Sequence, residues 1–146
     1  MTRYLVDTNV ISISAPAVGV RRVAILQWME SNSHNLFLSA VSVAEIADGI
    51  AKARREGATR KASDLTAWLK TVLHLYGDRV LPFDSPTAEI AGGLSDRARG
   101  RGHSPGLADV IIAATAKRHG LTVLSRNARH FMPLDVRVID PYRDFS

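Results

Sequence analysis

The sequence predicts an α/β fold, a three-layer α/β/α domain built on a mainly parallel sheet of four to five strands. Three observations support this prediction. Short apolar runs alternate with segments of helical periodicity along the chain, an order that implies right-handed crossovers between parallel strands. The apolar runs are hydrophobic through their centres, as in strands that are buried on both faces. The 146 residues match one domain, residues 1–146, with a single core.

The first strand is predicted over residues 3–7, which have an apolar centre. Thr8 and Asn9 follow it with side-chain oxygens that favour the start of a helix. A further helix is predicted over residues 20–33 from the helical spacing of its apolar residues, and the polar run SNSHN ends it. The second strand, LFLS, then covers residues 36–39.

Two amphipathic helices are predicted after the second strand. The first lies within residues 39–55, and the second covers residues 64–76. A polar loop at residues 55–61 separates them. The apolar stripe of the first helix comprises Val43, Ile46, Ala47 and Ile50. The apolar stripe of the second helix ends on Leu75 or Tyr76. The core is expected to include Trp28, Trp68, Leu69 and Leu75, with a surface that meets a partner as the alternative for some of them.

The second half of the sequence repeats the alternation. RVLPF at residues 79–83 is the third predicted strand, and Ser85 with Pro86 starts a helix that runs to about Arg99. The segment GRGHSPG breaks the pattern before a helix that Gly120 closes. LTVLS and VRVID are then the fourth and fifth predicted strands.

Composition limits the function classes. The sequence has no cysteine, which excludes disulfides, thiol catalysis and cysteine zinc sites and fits a reducing cytoplasm. No apolar run approaches the roughly 20 residues needed to cross a bilayer, and no secretory signal is recognisable. We therefore expect a soluble cytoplasmic protein with no membrane partner. The formal charge of +5 and the pI near 10.1 suit a polyanionic partner such as nucleic acid.

Three carboxylates stand in unusual positions, and each has a structural as well as a functional interpretation. Asp7 ends the first strand, where ligands of parallel sheets bind, but it could simply cap the next helix. Glu45 begins a helix and could close a capping box with Ser42. Asp109 lies in a helix that is apolar nearly all round, where a charge needs a partner, a cation or the helix dipole.

A shared cation would explain all three carboxylates. If Asp7, Glu45 and Asp109 converge at one edge of the sheet, the cluster needs a counter-charge to stay ionised. Mg²⁺ or Mn²⁺ accepts such oxygen ligands and supports in-line displacement at a phosphodiester. The basic surface of the protein would then guide the phosphate backbone to the acidic site.

Four segments in order along the chain carry a family resemblance: YLVDTNVIS, LSAVSVAEIADGI, LADVIIAATAKRHGLTVLSRNARHF and VRVIDPY. Together they resemble the PIN-domain ribonucleases, in particular the VapC-type toxins of bacterial toxin–antitoxin pairs and their FitB-like branch. The resemblance implies a PIN-like fold, a Mg²⁺- or Mn²⁺-dependent endoribonuclease that acts on RNA, and a cognate antitoxin that blocks the active site. It also implies a homodimer or a toxin–antitoxin hetero-oligomer, with the antitoxin segment in a groove among the N-terminal helices.

The resemblance also implies roles for particular residues. Asp7, Glu45 and Asp109 match the acids that hold the metal in this family and are therefore the expected catalytic residues. The positions at which the family keeps polar residues around the site are occupied by Thr8, Asn9, Ser125 and Asn127.

One segment departs from the family pattern. Many members carry a further acid where this sequence reads SRNARHF, with Asn127 and His130 at positions where aspartates often stand. The sequence therefore does not decide whether the site binds one metal ion or two, and a single-metal mechanism remains viable. Asn127 can offer a carbonyl oxygen, and His130 is a candidate contact for metal or substrate phosphate.

Two other functions were weighed. A phosphatase of the haloacid dehalogenase type needs an acid where Asn9 stands, so the sequence disfavours it. A non-catalytic PIN-fold module that binds RNA or protein is the remaining alternative. The basic residues that could contact RNA form two clusters, Lys52, Arg54, Arg55, Arg60 and Lys61, and Arg97, Arg99 and Arg101.

Overall fold

A computed structural model describes residues 1–16 and 22–144. The predicted start of the second helix at Val20 lies outside the described residues. The strands are β1 (Tyr4–Val6), β2 (Leu36–Ser39), β3 (Val80–Leu81), β4 (Thr122–Leu124) and β5 (Val138–Ile139). The α-helices are α1 (Thr8–Ile11), α2 (Arg22–Ser31), α3 (Ala40–Arg55), α4 (Thr59–Tyr76), α5 (Ser85–Gly100), α6 (Leu107–His119) and α7 (Pro141–Asp144).

The five strands form one parallel sheet in the order β3-β2-β1-β4-β5. Leu5 of the central strand β1 pairs with Phe37 of β2 on one side and with Val123 of β4 on the other. The predicted parallel sheet is therefore confirmed. Strand β3 is shorter than predicted and ends before Pro82, because proline cannot donate to a strand ladder.

Alternate residues of the central strands enter two hydrophobic cores. Val6 and Leu124 pack with side chains of α2, α3 and α4, whereas Leu5 and Val123 pack with those of α5 and α6. This alternation is the period-two geometry of a strand. Helices thus cover both faces of the sheet, which confirms the three-layer α/β/α prediction.

Helix α6 is the most enclosed helix in the described part of the chain, because every residue from Val110 to Ala116 is buried. The sequence predicts a helix that is apolar nearly all round, but Leu107 at its start is 74% exposed. It is the first residue of the helix and precedes the turn that enters the core.

The prediction about the apolar face of α3 is wrong in register. The buried stripe of α3 begins at Ser42, so Val43 is only half-buried and Ala47 is exposed. On α4, the stripe was expected to end on Leu75 or Tyr76; Tyr76 packs against the core, and Leu75 is 64% exposed. Trp28, Trp68 and Leu69 do pack against the core, as expected.

The loop between α3 and α4 is also shorter than predicted. Helix α4 begins at Thr59 rather than near residue 64. Polarity suggested a loop here, but Arg60, Lys61 and Ala62 all have high helix propensity, and Ala62 is fully buried. Among the helices of the described chain, none is both long and apolar enough to cross a bilayer.

Candidate active site

Asp7 occupies the carboxyl end of the central strand and has two structural roles there. Its Oδ1 accepts a hydrogen bond from the Thr8 backbone N at 2.8 Å, and its backbone O accepts from the N–H groups of Val10 and Ile11. Its Oδ2 accepts a second side-chain bond, from the Ser125 Oγ at 2.7 Å. Asp7 thus caps α1, which confirms the capping interpretation, and its other carboxylate oxygen faces the loop after β4. Its role in a metal site stays a prediction.

Ser125 connects Asp7 to the other polar residues of this edge. Its Oγ accepts from the Asn127 backbone N at 3.0 Å and lies 3.4 Å from the Asn9 Nδ2. The Asn9 Oδ1 in turn accepts from the Arg126 backbone N at 3.1 Å. These bonds join the ends of two neighbouring strands, and Asn127 takes part through its backbone.

Glu45 does not form the capping box that its spacing suggested. The N-cap of α3 is Ser39, whose Oγ accepts from the Val41 N at 3.1 Å. Ser42 lies inside the helix, and its buried Oγ has no hydrogen-bond partner in the described part of the chain. The Glu45 carboxylate instead reaches across to α1, where it accepts from the Thr8 Oγ1 at 2.7 Å. It is therefore directed toward the neighbours of Asp7.

Asp109 lies in the first turn of α6 and is half-buried. The His130 Nδ1 lies 3.6 Å from its Oδ2. Both side chains line a cleft of about 390 Å³. The other residues of the cleft wall are His103, Ser104, Pro105, Gly106 and Pro133.

The pKa values of Asp7 and Asp109 are both raised. Burial raises the pKa of Asp7; hydrogen bonds from Ser125 and Thr8 oppose this shift, and the charges of Asp109 and Glu45 add to it. Burial also raises the pKa of Asp109, where His130 acts in the opposite direction and Glu45 in the same one. Carboxylates from β1, α3 and α6 therefore share one electrostatic environment at the carboxyl edge of the sheet.

The donor types fit a hard divalent ion that keeps part of its water shell. Among the described residues, no group of three or more His, Cys, Asp or Glu side chains is close enough to hold an ion on its own. Mg²⁺ commonly binds through one or two carboxylates and retains several waters, so it does not need a complete protein cage. Burial is the main cause of the raised pKa of Asp7, and the charges of Asp109 and Glu45 add to it; a bound cation would favour the charged form against both effects.

Sequence reasoning missed two residues near this site. Arg126 follows Ser125 directly, and its guanidinium lies 4.1 Å from the centre of the Tyr142 ring. His103, to which the sequence assigned no role, lines the cleft beside Asp109. The sequence contains one indication of this position: His103 lies in the loop GRGHSPG, which leads into α6 and therefore has to lie near the start of that helix.

The chain belongs to the PIN domain family, whose model matches residues 4–132. This match confirms the resemblance to PIN domains and includes three of the four sequence segments that carry it, because VRVIDPY follows at residues 136–142.

Individual relatives cover nearly the whole chain. Toxin FitB of Neisseria gonorrhoeae is 37% identical over 96% of this chain and 99% of its own length. A VapC ribonuclease of Sinorhizobium fredii is 34% identical over 94% of this chain and 96% of its own. The crystal structure of FitAcB from Neisseria gonorrhoeae superposes with a TM-score of 0.82 at 36% identity, covering 95% of this chain and 98% of that one.

Proposed function

We propose that this protein is the toxin of a toxin–antitoxin pair and a metal-dependent endoribonuclease that hydrolyses RNA phosphodiester bonds. The observation that carries the proposal is that Asp7 ends the central strand, Glu45 accepts a hydrogen bond from its neighbour Thr8 at 2.7 Å, and Asp109 lies in the first turn of α6. Membership of the PIN domain family and the similarity to a VapC ribonuclease support the same reaction.

Each side chain has a definite part in this proposal. Asp7, Glu45 and Asp109 would hold Mg²⁺ or Mn²⁺, one or two of them directly and the rest through water molecules that the ion retains. When bound, such an ion lowers the pKa of a coordinated water and offsets charge on the phosphate in an in-line displacement. Ser125 fixes the rotamer of Asp7 through the bond to Oδ2, and Thr8 fixes that of Glu45 through the bond to Oε1.

The antitoxin is a protein partner in this proposal. The similar FitB and FitAcB proteins point to such a partner. A groove of about 540 Å³ between α2 and α4 has a mainly apolar lining that includes Leu26, Met29, Val72 and Leu75. An amphipathic helix of a partner can bind in such a groove through its apolar face. We propose that the antitoxin segment binds there.

Substituting single metal ligands tests the catalytic proposal. Asp109→Asn is expected to reduce RNA cleavage by about a hundredfold or more. Loss of a residue that only hydrogen-bonds to a metal ligand costs up to about a hundredfold, and loss of a ligand itself should cost at least as much. Asp7→Asn should do the same and should keep α1 capped, because Asn is as good an N-cap as Asp. Cleavage of labelled RNA with added Mg²⁺ or Mn²⁺ measures the effect, and circular dichroism confirms the fold.

Asp96→Asn is the matched control, because Asp96 is an exposed carboxylate on α5. It should cleave RNA like the wild type. Full activity in Asp109→Asn would contradict the metal assignment. Absence of metal-dependent cleavage in the wild type would favour the alternative, a non-catalytic PIN-fold module that binds RNA or protein.

A further inference from the structure

The cleft beside Asp109 contains a second kind of metal donor. His130 and His103 both line it, and the His130 Nδ1 lies 3.6 Å from the Asp109 Oδ2. The side chain of His130 is 47% exposed and that of Asp109 is 26% exposed. Both groups are therefore accessible to an ion that enters from the cleft.

We propose that His130 supplies a nitrogen ligand beside the Asp109 carboxylate and makes this site prefer a first-row transition ion such as Mn²⁺ over Mg²⁺. The inference rests on the proposed metal-dependent function and adds the choice of metal to it. Imidazole is a good ligand for transition ions, whereas Mg²⁺ is a hard ion that selects oxygen donors. A nitrogen ligand thus adds more to the binding of Mn²⁺ than to that of Mg²⁺.

The spacing of the two groups agrees with a shared ion. Neighbouring donors on a six-coordinate ion with bonds of about 2.1 Å stand about 3 Å apart. The observed 3.6 Å between the His130 Nδ1 and the Asp109 Oδ2 needs only a small rotation to reach that separation. The Glu45 charge also acts on Asp109, so the cation would enter a region of negative potential.

Direct metal binding tests the proposal without any RNA. Isothermal titration calorimetry with Mn²⁺ and with Mg²⁺ would be run on the wild type, His130→Ala and His103→Ala, at about pH 8, where an ordinary imidazole is neutral. His130→Ala is expected to bind Mn²⁺ at least about tenfold more weakly, with a much smaller change for Mg²⁺. His103→Ala removes the other histidine of the same cleft and should leave the ratio of the two affinities unchanged.

Two further measurements separate ligation from a structural effect. The electron spin echo of bound Mn²⁺ should show modulation from a directly coordinated nitrogen in the wild type and in His103→Ala, and none in His130→Ala. His130→Asp restores an oxygen donor, so it should bind both ions and lose the preference for Mn²⁺. A variant that had merely lost its fold would bind neither ion.

The outcomes also distinguish this inference from the proposed function. Unchanged or equally weakened binding of both ions in His130→Ala, or a wild-type spin echo without nitrogen modulation, would overturn the role of His130. If Asp109→Asn still abolished metal binding and cleavage in that case, the nuclease proposal would stand. Wild-type protein that binds neither ion would overturn both.

Discussion

Asp7 shows how one carboxylate can cap a helix and also bind a residue from a neighbouring strand end. Its Oδ1 accepts from the Thr8 backbone and its Oδ2 accepts from the Ser125 hydroxyl, while the side chain is almost fully buried. Hydrogen bonds to a buried carboxylate stabilise its charged form. At Asp7 they do not fully offset burial, because the pKa is still raised.

Ser125→Ala removes one of these bonds and should raise the pKa of Asp7 further. The unfolded pKa of an Asp carboxyl is about 3.9. When the folded pKa is higher than this, the free energy of unfolding falls as the pH rises from the unfolded pKa to the folded one, because the charged form is less favourable in the folded state. The loss caused by Ser125→Ala should therefore be small below pH ~4 and complete at neutral pH, where we expect about 1.5–3 kcal/mol for a bond to a charged group. Urea unfolding in metal-free buffer at both pH values measures it.

Ser95→Ala provides the control for that measurement. Its Oγ accepts from the Arg99 guanidinium on the surface of α5, and its loss should change stability by less than about 0.5 kcal/mol at either pH. An equal loss at both pH values in Ser125→Ala would show that the bond does not act through the charge of Asp7.

At the scale of elements, a hydrogen bond ties α4 to the segment after α1. The Trp68 Nε1 donates to the Ser14 Oγ at 3.0 Å, and the Ser14 Oγ donates to the Ile11 backbone O at 2.7 Å. Apolar side chains of α4, among them Leu69 and Val72, also pack in the core. This chain of bonds fixes how α4 lies against the N-terminal segment.

Trp68→Phe keeps an aromatic ring but removes the donor. We expect the free energy of unfolding to fall by about 0.5–1.5 kcal/mol for the lost bond, with a further small loss from the smaller ring. Thr71→Ala on the exposed face of the same helix is the control and should be nearly neutral. A Trp68→Phe protein as stable as the wild type in thermal and urea unfolding would refute the contribution of the bond.

The groove between α2 and α4 gives a second prediction at this scale. Leu75 is 64% exposed and lines the groove. Leu75→Glu should weaken antitoxin binding by at least about tenfold, since a charge would be buried in an apolar interface. Binding to the co-expressed antitoxin can be measured by surface plasmon resonance, with RNA cleavage by the free toxin as a check on the active site.

Leu73→Glu is a matched control from the same helix. Leu73 is 37% exposed and is absent from the groove lining. It should leave antitoxin affinity close to that of the wild type. Equal weakening by both substitutions would place the partner elsewhere on α4.

At the scale of the whole molecule, the basic side chains that could contact RNA lie at different distances from the candidate site. Lys52, Arg54 and Arg55 lie in the last turn of α3, where cations stabilise the helix dipole. That turn is roughly 14 Å along the axis from Glu45 at 1.5 Å per residue. Arg101 pairs with Asp135. Contact between RNA and these four basic residues stays a prediction. Arg126 lies closer to the candidate site, because it directly follows Ser125.

Arg126→Gln should therefore weaken RNA binding more than Arg54→Gln. Both variants would be compared in the inactive Asp109→Asn background, so that the RNA is not cleaved. Loss of one phosphate contact should lower the slope of log affinity against log salt by about 0.7 for single-stranded RNA, and only Arg126→Gln is expected to show this change. Fluorescence anisotropy at several salt concentrations measures the slopes, and equal slopes would exclude Arg126 as a contact.

The sequence by itself determined the order of strands and helices and the parallel sheet, and it singled out Asp7, Glu45 and Asp109 as candidate metal ligands. These follow from local patterns, because burial imposes a period of two on strands and 3.6 on helices and makes a carboxylate in an apolar helix conspicuous. Helix ends were less certain: Ser39 and Ser42 both suited the cap of α3, and only the backbone shows that Ser39 holds it.

The tertiary structure alone decided which partners the acids take. The Thr8 hydroxyl reaches Glu45 across 37 positions of sequence, and the Ser125 hydroxyl reaches Asp7 across 118. No local pattern encodes such pairs, because they exist only once the sheet order places β1 between β2 and β4. The position of His130 against Asp109 has the same origin, since the segment after β4 passes the start of α6 only in the folded chain.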